Sequence, residues 1–244
     1  MASRPKSGRL TIGHALIAAM AVTAILIQAP PAAADGTVSG SLILPPPDQR
    51  PQPPQRSHGF LPRANNPRKA VRPYDPLPYM VVVLEGNGAG EGAAHNQRVR
   101  YTLIGESFAT PLLAVTAGTE IELRNDGSRS PRLYVPGHDD LLPGTPLNPT
   151  DSLAMTVSTP NTLITIRDRD TVHLIGRVVA FSHSLFAQPD ADGKATIADV
   201  PSGNYSVKVW YRDGWLKIQP TTVDVGSGTA RFQIQIPTVL ETEN

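Results

Sequence analysis

Six histidines, 21 carboxylates and no cysteine limit the chemistry open to this 244-residue chain. His138-Asp139-Asp140 sits in a loop-like stretch, and His173 and His183 flank a strand-like one. Two imidazoles with a carboxylate could hold zinc or copper(II) if those segments converged. His173 and His183, however, are ten residues apart on one extended segment, about 33 Å at full strand rise. The expectation is therefore that His138 is a solvated loop residue, that the other two lie on a strand surface, and that no metal or other cofactor is held. Asp190-Ala191-Asp192-Gly193 starts like a calcium loop but lacks the later oxygen ligands and the distal Glu, so it reads as a turn. Ser182-His183-Ser184 puts hydroxyls beside an imidazole in sequence, yet neighbours on a strand point to opposite faces. Asp168 and Asp170, within Arg167-Asp168-Arg169-Asp170, read as solvated ion pairs rather than paired acid and base. The chain contains no Gly-x-Ser-x-Gly, no His-Glu-x-x-His and no P-loop. An enzyme is not expected.

Aromatic residues make up only 5% of the chain, which singles out Trp210, Tyr211 and Trp215 beside Arg212. Aromatic planes next to polar groups suit sugar stacking or a protein contact. The competing expectation is core packing, strongest for Tyr211 if it shares an inward face with Tyr205. Trp215, after Gly214, is the one expected to be exposed.

The elements that must position these residues are strands. Period-two alternation or short apolar runs mark Thr37–Leu44, Tyr79–Glu85, Arg98–Ile104, Leu112–Val115, Glu120–Arg124 and Ser152–Val157. The same signals mark Thr162–Arg167, Val172–Phe181, Lys194–Ile197, Tyr205–Tyr211, Thr221–Val225 and Ala230–Ile236. Gly, Pro, Asn and Asp clusters separate them, and the fold class is all-β. Residues 45–78 hold 11 of the 25 prolines, with Arg50, Arg56, Arg63, Arg68, Lys69 and Arg72 against Asp48 and Asp75. Such a composition favours an extended, solvated spacer, with docking on an anionic surface as the alternative.

Residues 1–34 read as an export signal: Arg4, Lys6 and Arg9, then a mostly apolar Leu10–Ile27, then Ala32-Ala33-Ala34 before Asp35. That leader holds three of the 22 basic residues and no acidic one, so the formal +1 of the chain becomes −2 without it. Nucleic-acid binding is not expected from that balance. An exported chain without cysteine must be stabilised by its core rather than by disulfides. The expected location is the periplasm, with the cell surface or medium as alternatives. The expected partner is an envelope protein or glycan, and membrane contact would come only through an uncleaved leader or the basic Pro-rich segment.

Two parts resemble known families. Through GTVSGSLIL (36–44), YMVVVLEG (79–86) and DADGKATIADVPSGNYSVKVWYRDGW (190–215), residues 36–86 and 188–236 resemble the carboxypeptidase regulatory-like module, a transthyretin-like sandwich. That resemblance makes 45–78 a long hairpin connection between the first two strands. Residues 97–187 resemble the cupredoxin-like domain of plastocyanin-type exported proteins, through Tyr101-Thr102-Leu103-Ile104, Phe108, Leu113 to Thr119, Ile121-Glu122-Leu123 and Asn125-Asp126. Two Greek-key-type β-sandwiches are then expected, the second inserted into or packed on the first. The divisions are 1–34, 35–44, 45–78, 79–96, 97–187, 188–238 and a tail at 239–244. The resemblance further implies copper ligands near Pro131, Asp168, Thr171 and Leu174, where this chain has no imidazole, thiolate or thioether. Blue copper needs two imidazoles and a thiolate, so its electron-transfer chemistry is excluded. The resulting expectation is a non-catalytic envelope protein acting by interaction. A periplasmic metal-binding protein using His138, Asp139, His173 and His183 is the first alternative. A carbohydrate-binding module centred on the tryptophans is the second.

Overall fold

The computed structural model describes residues 35–51, 74–86 and 98–243. The leader, the middle of the Pro-rich segment and the Gly-rich stretch after Gly86 lie outside the described residues. Seventeen strands are described, in chain order. The first eight are β1 (Gly36–Ile43), β2 (Met80–Gly86), β3 (Val99–Ile104), β4 (Ser107–Phe108), β5 (Leu113–Thr116), β6 (Glu120–Asn125), β7 (Leu133–Tyr134) and β8 (Ser152–Thr156). Then come β9 (Thr162–Asp168), β10 (Ile175–Phe181), β11 (Phe186–Ala187), β12 (Lys194–Val200) and β13 (Gly203–Tyr211). The last are β14 (Gly214–Leu216), β15 (Thr221–Val225), β16 (Thr229–Gln235) and β17 (Thr242–Glu243). The protein is all-β, as its alternation predicts.

Four sheets result. The first runs β12-β1-β16, and the second runs β11-β2-β13-β14-β17 with β15 also on β13. The third is β5-β10-β9-β7 and the fourth β4-β3-β6-β8. Strands with a clean alternation have one buried face. In β6, Ile121, Leu123 and Asn125 point inward while Glu122 and Arg124 do not. In β16, Phe232 and Ile234 are buried between exposed Arg231, Gln233 and Gln235. The continuous apolar runs MVVVL and VVAF have a different cause: they are buried on both faces. Met80, Val82 and Leu84 of β2 join the core between the first and second sheets, with Tyr205, Val207, Val209 and Tyr211. Val81 and Val83 of the same strand face the other way, onto Val179 and Phe181 of β10, Leu112 and Trp210. In turn Val178 and Ala180 of β10 enter the core between the third and fourth sheets. The order of layers is therefore first, second, third, fourth, with three apolar layers between them.

The chain enters the third and fourth sheets after β2 and leaves them at β10, so β3–β10 interrupt the strands of the first two sheets. The described residues nevertheless form one compact unit.

Several expectations need correction. β1 pairs with β12 and β16, whereas β2 pairs with β11 and β13. β1 and β2 therefore lie in facing sheets and do not form the expected hairpin. The ends of that segment also pack: Pro45, Pro76 and Leu77 are buried, and each end makes a short 3-10 turn, Pro47–Gln49 and Leu77–Tyr79. The strand expected from Val172 begins only at Ile175, because Val172 and His173 form a turn. At Gly176 a Cβ would meet the Phe108 ring at 2.5 Å, so the close approach of β10 to β4 requires glycine there. Gly193, at φ +80°, closes the Asp190–Gly193 turn, where Asp190 Oδ1 accepts the N–H groups of Asp192 and Lys194.

Candidate functional site

The four positions that the cupredoxin-like resemblance assigns to copper ligands come together. Pro131, Asp168, Thr171 and Leu174 line one cavity of about 100 Å³, with Gly105, Glu106, Arg129 and Asp170 around it. Pro131 precedes β7, Asp168 ends β9, and Thr171 and Leu174 bracket the turn before β10. These are three separate chain segments gathered at one end of the third sheet.

Inside that cavity the donor set is wrong for copper. Asp168 is buried and its Oδ1 accepts the Arg132 N–H at 2.7 Å, which ties the start of β7 to the end of β9. This corrects the reading of Asp168 as a solvated ion pair. Asp170 does pair with an arginine, but from across the sheet: Arg132 donates Nε at 2.9 Å and Nη2 at 2.6 Å. That bond from Arg132 holds the Asp170 carboxyl below its ordinary range and raises Arg132 in return. Arg169 lies over the Tyr134 ring at 5.1 Å instead of pairing with its neighbours.

A second charged string closes the rim. His173 Nε2 is 3.0 Å from Glu106 Oε2, and Arg129 pairs with the other oxygen of Glu106. The His173 bond first, and Arg129 second, hold Glu106 below the usual carboxylate range. Beneath them Asn125, only 1% exposed, donates Nδ2 to the Arg129 and Leu147 carbonyls, both at 2.7 Å. Its Oδ1 accepts the Gly127 N–H at 2.9 Å. Asn125 thus anchors the loop that delivers Pro131. Its inward position in the β6 alternation was the available signal, a polar residue where the pattern calls for an apolar one.

The alternative metal set does not assemble. His138 and Asp139 are exposed in the loop after β7. His173 and His183 lie beyond opposite ends of β10, a strand of seven residues and so about 20 Å long. Among the described residues no group of three His, Cys, Asp or Glu is placed to hold a metal ion. His183 is not a strand-surface residue: it is 8% exposed, in the connection from β10 to β11, where its Nδ1 accepts the Leu185 N–H at 3.3 Å. Burial pushes its pKa down, opposed by the Glu85 carboxylate. Its hydrogen bond to Leu185 is no part of a serine–histidine relay.

The aromatic candidates divide. Tyr211 is buried in the core of the first two sheets, and Trp210 is buried between the second and third, its Nε1 donating to the Arg212 carbonyl. Both rings are buried, as the core-packing expectation has it. Arg212 is exposed, and its guanidinium lies 5.1 Å from the ring centres of both Tyr79 and Tyr211. Trp215 is only half-buried. Its ring meets Trp210 edge-on at 5.2 Å and Phe181 at 5.9 Å, while the Lys208 ammonium sits 5.3 Å above it. Trp215 lines an open groove of about 600 Å³ with Lys208, Gln219, Gln235 and Glu243.

No protein-family model matches this chain, and no curated protein sequence matches it. Solved structures similar to it include a purple cupredoxin from Nitrosopumilus maritimus, at 13% identity and TM-score 0.30, covering 34% of this chain and 98% of that one. The amicyanin of Paracoccus versutus is similar at 14% identity and TM-score 0.31, over 41% of this chain and 96% of its own. A mutant fern plastocyanin is similar at 17% identity and TM-score 0.29, over 34% and 99%. In each case a minor part of this chain spans nearly the whole of a cupredoxin.

Proposed function

We propose that this protein is an exported, non-catalytic β-sandwich protein of the cell envelope that works by binding. In this reading β3–β10 form a cupredoxin-like scaffold without its metal chemistry, carried by a regulatory-like sandwich made of the other strands. One observation carries the reading: Pro131, Asp168, Thr171 and Leu174 line a single cavity, and none of the four offers an imidazole or sulfur donor. The carboxylate at 168 serves the backbone N–H of Arg132, which supports a structural role for it there. The test is equilibrium dialysis of the purified protein against copper(II) and zinc, with metal content measured afterwards. Less than 0.1 equivalent per chain is expected, and a full equivalent would favour a metal-handling protein.

A second reading places glycan recognition at the Trp215 groove, supported by a half-exposed indole beside two amide side chains, a lysine and a glutamate. A sugar face would have to displace the Lys208 ammonium, which Glu85 holds at 2.5 Å. Titration of tryptophan fluorescence with cell-wall and storage glycans tests it, and an unchanged spectrum at saturating sugar removes it.

A further inference from the structure

His183 occupies one of the connections between the second and third sheets, a four-residue link from Phe181 to Phe186. The link is tied into the second sheet, because the Leu185 carbonyl accepts the Leu84 N–H at 3.0 Å. At the next residue β11 pairs with β2 through Phe186 and Val83, and the Phe186 ring lies 5.2 Å from Phe181. The link therefore aligns the edge strand of one sheet with the apolar layer shared by both.

The bond that shapes this link fixes the state of the imidazole. Nδ1 accepts from the Leu185 N–H, so the ring must carry its proton on Nε2 alone. Adding a second proton turns the acceptor into a donor facing a donor, in a ring that is 8% exposed. Among the described residues the groups around the ring offer little compensation. Val83, Gly86, Asn161, Phe181 and Ser182 carry no charge, and the carboxylate of Glu85 is already paired with Lys208.

We propose that His183 is an acid-sensitive latch: protonation releases the β10–β11 link and loosens the apolar layer between the second and third sheets. The sign follows from proton linkage. A histidine whose folded pKa is depressed is neutral in the closed form, so closure is fully favoured above the open-state value near 6.5. As pH falls below that value, the open form takes up protons first and opening becomes easier. Against an open-state pKa of 6.5, opening increases up to about tenfold between pH 7.5 and pH 5.5. Both tryptophans of the chain, Trp210 and Trp215, lie at this layer, so their emission reports it directly.

The test is amide hydrogen exchange at Leu84 and Leu185 in the full chain at pH 7.5 and 5.5, corrected for intrinsic rates, together with tryptophan emission. The wild type is expected to lose protection by up to about tenfold at the lower pH, while far-ultraviolet circular dichroism is unchanged. His183→Asn keeps an acceptor near the Nδ1 position and cannot titrate, so its protection and emission should be the same at both pH values. His173→Asn, which alters an exposed imidazole, should behave as wild type. Equal protection of the wild type at both pH values overturns the proposal, as does a persistent acid response in His183→Asn. If that variant does not fold, the imidazole titration of His183 in the wild type decides, and a pKa at or above 6.5 overturns it.

Discussion

Phe181→Ala is the sharpest perturbation of the layer that joins the second and third sheets. Phe181 is 1% exposed, and its ring has three aromatic neighbours: Phe186 at 5.2 Å, Trp215 at 5.9 Å and Trp210 at 6.0 Å. Truncating a buried phenylalanine costs about 3–5 kcal/mol, because transfer energy and cavity energy add. The upper half of that range applies here. Val81, Val83 and Val179 belong to paired strands that cannot collapse inward, so the cavity persists. With a urea dependence of about 2–3 kcal/mol per molar for a protein of this size, the unfolding midpoint should fall by about 1.3–2.5 M. Urea titration followed by circular dichroism and tryptophan emission measures it, and emission should also shift red before unfolding. Val172→Ser supplies the control: that side chain is 82% exposed and its loss should change stability by no more than about 0.5 kcal/mol. A Phe181→Ala cost below about 1 kcal/mol would refute the argument that this layer is packed as a core.

Other outcomes follow from the cavity at the end of the third sheet. Asn125→Ala strands the buried Leu147 carbonyl, together with the part-buried Arg129 carbonyl and Gly127 N–H, so a loss of about 1–3 kcal/mol is expected by chemical denaturation. If the proposed cupredoxin-like reading holds, the fourfold replacement Pro131→His, Asp168→Cys, Thr171→His and Leu174→Met should install a blue-copper donor set and give a copper-loaded protein with intense thiolate-to-copper absorption. A folded variant that binds no copper would remove the cupredoxin-like reading of this cavity. The lowered carboxyl of Glu106 adds stability that is present above its ordinary pKa of 4.5 and lost as pH falls through the folded value. Glu106→Gln should therefore flatten the acid limb of a stability–pH profile recorded at low salt.

Much of the strand content was legible because period two survives wherever one face is buried. β6 and β16 declare themselves through Ile121, Leu123, Phe232 and Ile234. The short strands β4, β7, β11, β14 and β17 were not legible, since two or three residues cannot display a period. Nor was the pairing of β1 and β2: alternation records which face is buried, not which strand lies beside it. The cavity was half legible. Counting from the resemblance found Pro131, Asp168, Thr171 and Leu174, but not the bonds that Asp168, Asn125 and Arg132 make there.

From its residues alone the chain is committed to β structure, to chemistry without a thiolate, and to apolar runs at Met80–Leu84 and Val178–Phe181 too continuous for a one-sided sheet. What covered the second face of those runs was decided only by the tertiary structure, which laid β2 against β10 and so buried Trp210 and enclosed His183. The physical reason is that hydrophobicity is non-directional. A sequence states how much apolar surface must leave water, whereas the partner that covers it is selected by shape, register and the path of the chain between sheets.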